Sequence, residues 1–170
     1  MITLNYSELN EGIKAGTYEA VFTEWHTDAT PYGTEYTQLT LEVRNDIEQA
    51  SKNYKIRHTL WTSKETGTYV DWVVNRIAKE AGLQEGMQFN SYEDIFNAFI
   101  GRPVKIDVFI KEEEGKDGTI YKKPTISKFH ETAYPNVQHV SKQSQQQTVP
   151  TQAQNQPQPQ PQVQQTDLPF

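Results

Sequence analysis

The chain has 170 residues, a formal net charge of −6 and no cysteine. That length fits one domain with room for a tail, and the missing thiols exclude disulfides and thiolate metal sites. No apolar run approaches the roughly 20 residues that span a bilayer, and the polar opening MITLNYSELNEG has neither a basic n-region nor an apolar h-region, so a cytoplasmic protein without membrane contact is expected.

Residues 16–26 (GTYEAVFTEWH) alternate as a strand, with Tyr18, Ala20 and Phe22 on one face and Glu19, Val21, Thr23 and Trp25 on the other. Asp28, Pro31 and Gly33 mark residues 27–34 as a loop. A second strand is expected over 35–44, where Thr37, Leu39, Leu41 and Val43 oppose Tyr36, Gln38, Thr40, Glu42 and Arg44. A third covers 53–62, with Tyr54, Ile56, His58 and Leu60 against Lys55, Arg57, Thr59 and Trp61.

The period then changes. Tyr69, Val73, Ile77 and Ala81 keep helical spacing, Thr68 and Asp71 resemble a capping start, and Gly82 is a natural stop. A short helix fits 91–100, with Ser91 as N-cap and Gly101 and Pro103 beyond its end. Strand alternation returns over 103–111, residues 112–118 read as a charged hairpin tip, and 119–130 form the last strand, where Pro124 marks a bulge or an edge.

Three strands, a two-helix insert and a two-stranded hairpin give the connectivity of an OB-fold. That is a mainly β, five-stranded Greek-key barrel that binds oligonucleotides or oligosaccharides on strands 2 and 3 and the flanking loops. The barrel is expected over residues 1–135. Residues 141–170 hold 12 Gln and five of the nine Pro, with only Lys142 and Asp167 charged. Such a segment has too little apolar surface to offset chain entropy, so 136–166 reads as a disordered linker. It carries a tip, 167–170, in which Asp167, Leu168, Pro169 and Phe170 offer a partner an aromatic ring beside a carboxylate.

Catalysis finds little support. His26, His58, His130 and His139 are scattered without a pair at metal-ligand spacing, and no Gly-rich phosphate loop is present, so neither enzyme activity, metal nor cofactor is expected. Binding finds more. From Ser51 to Lys64 the chain has Lys52, Lys55, Arg57 and Lys64 and no acid. Cations that track phosphates and rings that stack on bases are the means of gripping single-stranded nucleic acid. The candidate contacts are Tyr36, Lys55, Arg57 and Trp61, then Trp25, Tyr32 and Arg44, and on the last strand Lys122 and Lys123 beside Tyr121 and Lys128. Against this, strand aromatics commonly serve cross-strand packing; Phe22, Phe96 and Phe99 read as core, Trp72 as packing, and His58 as a hydrogen-bonded core histidine.

The ordered segments AGTYEAVFTEW, EYTQLTLEVRND, KIRHTLW, YVDWVVNRIAKEAGL and GRPVKIDVFI resemble a family of phage proteins from Gram-positive hosts, regarded as single-stranded DNA-binding, over about residues 14–129. The resemblance implies a coat for single-stranded DNA during phage replication, recombination or repair, in the cytoplasm of the bacterial host. Separately, DLPF is similar to the tip of bacterial single-stranded DNA-binding proteins, which implies docking of replication and recombination enzymes. The acidic run of those tips is reduced here to Asp167, which shifts the expected anchoring onto Phe170. Two rival readings are an acidic interaction protein that modulates or decoys host repair enzymes, which the net charge favours, and a strand-annealing or recombinase-loading protein. Homo-oligomerisation stays open.

Overall fold

A computed structural model describes residues 12–141. Its elements follow the expected order: β1 (Gly16–Ala29), β2 (Glu35–Val43), β3 (Lys55–Trp61), α1 (Asp71–Glu80), α2 (Tyr92–Phe99), β4 (Pro103–Glu114) and β5 (Ile120–His130). β1 runs three residues further than its alternation suggests. β4 likewise continues through the acidic residues, because Glu112 and Glu113 pair with Lys122 and Tyr121 across the ladder. The hairpin tip shrinks to the turn between Gly115 and Thr119, closed by a Gly115 N–H bond to the Thr119 carbonyl at 2.7 Å.

All five strands form one antiparallel sheet in the order β3-β2-β1-β4-β5. The length of β1 makes this work: residues 16–21 pair with β4, and residues 20–29 pair with β2. The edge strands β3 and β5 curl into contact without a ladder between them, and the His58 ring stands edge-on to Phe129 at 5.0 Å. Pro124, which has no N–H to donate, is tolerated on this edge strand; the ladder irregularity lies instead between Asp107 and Val108.

One face of the sheet carries Phe22, Leu39, Leu41, Ile56, Val104, Ile106 and Phe129, and the two helices close over it. α1 contributes Val74 and Ile77, and α2 contributes Phe96 and Phe99. Phe22 stacks on Phe99 at 5.3 Å and on Phe129 at 6.2 Å, and ring pairs of this kind add about 0.5–1.5 kcal/mol beyond the area they bury. Ser91 caps α2, its Oγ accepting from the Asp94 N–H at 3.2 Å. The expected cap of α1 does not form: Val70 is the N-cap residue, and Asp71 accepts a hydrogen bond from the Tyr92 hydroxyl. Gly82 ends α1 in the left-handed region at φ 78°, a conformation that costs other residues strain. No helix among the described residues is long and apolar enough to cross a membrane.

After β5 the chain turns back as a strap, residues 131–141, over the opposite face of the sheet. Glu19 accepts from Thr132 Oγ1 at 2.5 Å and from the Ala133 N–H at 3.0 Å. Arg44, wholly buried, donates to the carbonyls of Tyr134 at 2.6 Å and Asn136 at 2.8 Å, and pairs through two nitrogens with Asp46 at 3.0 and 2.6 Å. The Asn45 N–H donates to His139 Nδ1 at 3.0 Å, and Ser141 Oγ donates to Glu42 at 2.9 Å. Packed structure therefore runs through Ser141, past the 135 at which composition places the end of the folded part. The linker beyond 141 and the tip 167–170 lie outside the described residues.

Candidate nucleic-acid interface

On the face opposite the helices, the β2–β3 register sets Tyr36 against Trp61, Gln38 against Thr59, Thr40 against Arg57 and Glu42 against Lys55. This face has two halves. The strap covers the end at Glu42 and Arg44, and the end at Tyr36 and Trp61 stays open. The Tyr36 and Trp61 rings meet at 4.9 Å with an interplanar angle of 45°, and Trp61 remains 53% exposed. An aromatic pair held across two strands and left uncovered offers a π-face to a base without any rearrangement of the core.

Lys55 and Arg57, both exposed, extend from this pair along β3. With Tyr54 and, from β5, Lys123 and Pro124, they line a shallow cavity where β3 approaches β5. Three cations from two distant stretches of sequence therefore gather at one place. Lys122 does not join them. It alternates to the other side of the β4–β5 arm, where its Nζ lies 4.0 Å from Glu112. Tyr32 stands 97% exposed at the β1–β2 turn, which Gly33 closes with an N–H bond to the Thr30 carbonyl at 2.8 Å. β1 borders the open half with Asp28, His26 and Glu24, opposite Tyr36, Gln38 and Thr40, so the cationic strip has an acidic margin.

Besides Lys122, two of the expected contacts fall elsewhere. The β1 ladder shifts between Phe22 and Glu24, leaving Thr23 as an extra residue, and the shift turns Trp25 onto the helical side opposite Leu39. There its ring lies 5.6 Å from that of Phe96, and its Nε1 donates to Asn97 Oδ1 at 2.9 Å. Arg44 is consumed by Asp46 and the strap, so it presents no charge to a ligand. Hydrogen bonding from the Arg44 side chain holds the Asp46 carboxyl down at about 2. His58, expected as a hydrogen-bonded core histidine, is half-buried edge-on to Phe129 and makes no hydrogen bond among the described residues; burial alone pushes its pKa down to about 4. The Asp107 carboxyl is held below its ordinary range, first by its hydrogen bond to His130 and then by that from Thr17.

One aromatic residue read as packing proves otherwise. Trp72 is 67% exposed on α1. Its place outside the Tyr69, Val73, Ile77 stripe was the available signal. Among the described residues, no group of three or more His, Asp or Glu side chains gathers to hold a metal ion.

Residues 3–150 match the model of a family described as a protein of unknown function (DUF669). No curated protein matches the chain.

Proposed function

The chain belongs to the DUF669 family, whose description assigns no activity, and we propose that its domain is an OB barrel that binds single-stranded DNA without sequence preference. The barrel reading rests on the strand order β3-β2-β1-β4-β5, on contact between the two outer strands, and on helices inserted between β3 and β4. The observation that carries the binding reading is the open Tyr36–Trp61 pair on the same strand face as Arg57 and Lys55, which meet Lys123 at the β3–β5 approach of an otherwise acidic protein. Stacking supplies about 1–3 kcal/mol per base, and cations supply an attraction indifferent to sequence. Phage replication, recombination or repair in a bacterial cytoplasm is the setting the sequence resemblance suggests. In that setting the tip 167–170 docks partner enzymes while the barrel holds DNA.

Titration with a homopyrimidine oligonucleotide at several salt concentrations tests this. Three phosphate contacts would give a log–log slope near −2, at about −0.7 per phosphate on a single strand. No detectable binding at low salt would sink the reading. Deleting Phe170 should abolish capture of replication or repair enzymes and leave DNA affinity unchanged.

A second reading, an acidic domain that binds or decoys host repair enzymes, is favoured by the net charge of −6 and by the Glu24 and Asp28 margin. It requires enzyme capture by a protein with no affinity for single strands.

A further inference from the structure

The seam where β3 and β5 meet without hydrogen bonding has a charge pattern unlike the rest of the chain. At one end lie Lys55, Arg57 and Lys123. Beyond the His58–Phe129 contact, the seam opens again between α1 and β5 into a second shallow cavity, lined by Trp72, Arg76 and Lys128 among others. Among the described residues, neither cavity has an acidic lining residue, although the chain carries 22 acids against 16 Lys and Arg. None of the five cations lies within 4.0 Å of a carboxylate among the described residues. Asp107, across the ladder from Lys128, is already engaged by His130 and Thr17.

The second cavity has the same chemistry as the first. Trp72 and Arg76 stand four residues apart on α1, hence on one face of the helix, and both are exposed. Lys128 reaches the same opening from β5, on the same sheet face as Lys123, because the irregularity near Ser127 adds one residue between them. An exposed indole flanked by two unpaired cations matches an anionic polymer with flat bases: charge meets phosphate, and the ring meets a base.

We propose that a bound single strand does not end on the Tyr36–Trp61 face but follows the β3–β5 seam to α1, where Trp72 stacks a base and Arg76 and Lys128 hold phosphates. This inference rests on the single-strand reading above and adds to it a second site and a path. Strand length becomes the discriminating variable. A short ligand satisfies the β3 face alone, whereas a longer one reaches α1.

The test uses the full chain with oligothymidylates of about 5 and about 15 nucleotides, within the range of single-fold site sizes. Trp72→Ala should weaken the longer ligand about 5- to 150-fold, the effect of losing one stacked base, and leave the shorter one unchanged. Trp72→Phe should restore most of the loss. Arg76→Ala with Lys128→Ala should reduce the salt slope for the longer ligand by about 1.4, at roughly 0.7 per phosphate. Because all three side chains are exposed, thermal melts of the variants should match the parent. If these variants match the parent on both lengths while Trp61→Ala weakens both, the seam carries no strand and the binding reading survives without it. Equal weakening of both lengths by Trp72→Ala also overturns the path. If the parent binds neither oligonucleotide, the seam and the binding reading fall together.

Discussion

The two halves of the outer β2–β3 face are built from the same alternation and meet opposite fates. At one end Glu42 and Arg44 are buried under a strap that satisfies them with carbonyls, a hydroxyl and a carboxylate. At the other end Tyr36 and Trp61 pair with each other, and among the described residues the strap does not cover them: Trp61 is exposed and Tyr36 half-buried. Buried charge tolerates no missing partner, so the first half is fixed structure. Exposed aromatic area carries no such penalty, so the second half is free to serve a ligand. Polar residues thus hold the sheet to its strap on this face, and the binding proposed above falls to the aromatic ones.

The largest test of that contrast is Arg44→Ala. Removing one partner of a buried ion pair costs about 3–5 kcal/mol, and the variant's urea midpoint should fall accordingly. An unchanged midpoint would mean the strap does not depend on Arg44. Next in size is the pH response of His58, whose pKa drops from 6.5 to about 4 on folding. The unfolded chain binds that proton first, so stability should decline as pH falls from 6.5 towards 4, by about 3 kcal/mol at most. Below 3.8 a further decline should follow as Asp46, held at about 2, takes up its proton later than it would unfolded. His58→Leu should flatten the first decline and spare the second, read from denaturation midpoints at each pH.

Trp61→Ala belongs to the open half, and its effect should appear in binding rather than in folding. A loss of about 1–3 kcal/mol in affinity for oligothymidylate is expected if the ring stacks one base. Unchanged affinity would return Trp61 to packing against Tyr36. The smallest effect is expected of Trp25→Phe, which removes the indole bond to Asn97. Stability should fall by about 1 kcal/mol with affinity untouched, in contrast to Trp61, although both are strand tryptophans.

That contrast also marks where the sequence was legible. Element order and the apolar faces of β2 and β3 could be read directly, because Leu39, Leu41, Ile56 and Leu60 hold a strict period of two. Trp25 could not: one extra residue at Thr23 reverses the faces of all that follows, and EAVFTEW is apolar on both sides of that point. Arg44 continued the solvent alternation faultlessly and is nevertheless buried, because its partners Tyr134 and Asn136 arrive from 90 and 92 residues away. The cluster of Lys55, Arg57 and Lys123 was foreseen as residue types on two strands. Only the curl of β5 towards β3 brings them together, while strand alternation puts Lys122 on the other side.

The strap has a practical consequence for anyone shortening this protein. A cut at 135 discards Asn136, His139 and Ser141, which strips Arg44 of an acceptor, takes the hydroxyl donor from Glu42 and uncovers the sheet face beneath them. The product would be a weakened domain. Any drop in the binding proposed above would report folding, and a role would be credited to the tail by mistake. The cut belongs after Ser141, which keeps every hydrogen bond that the described residues of the strap make to the sheet.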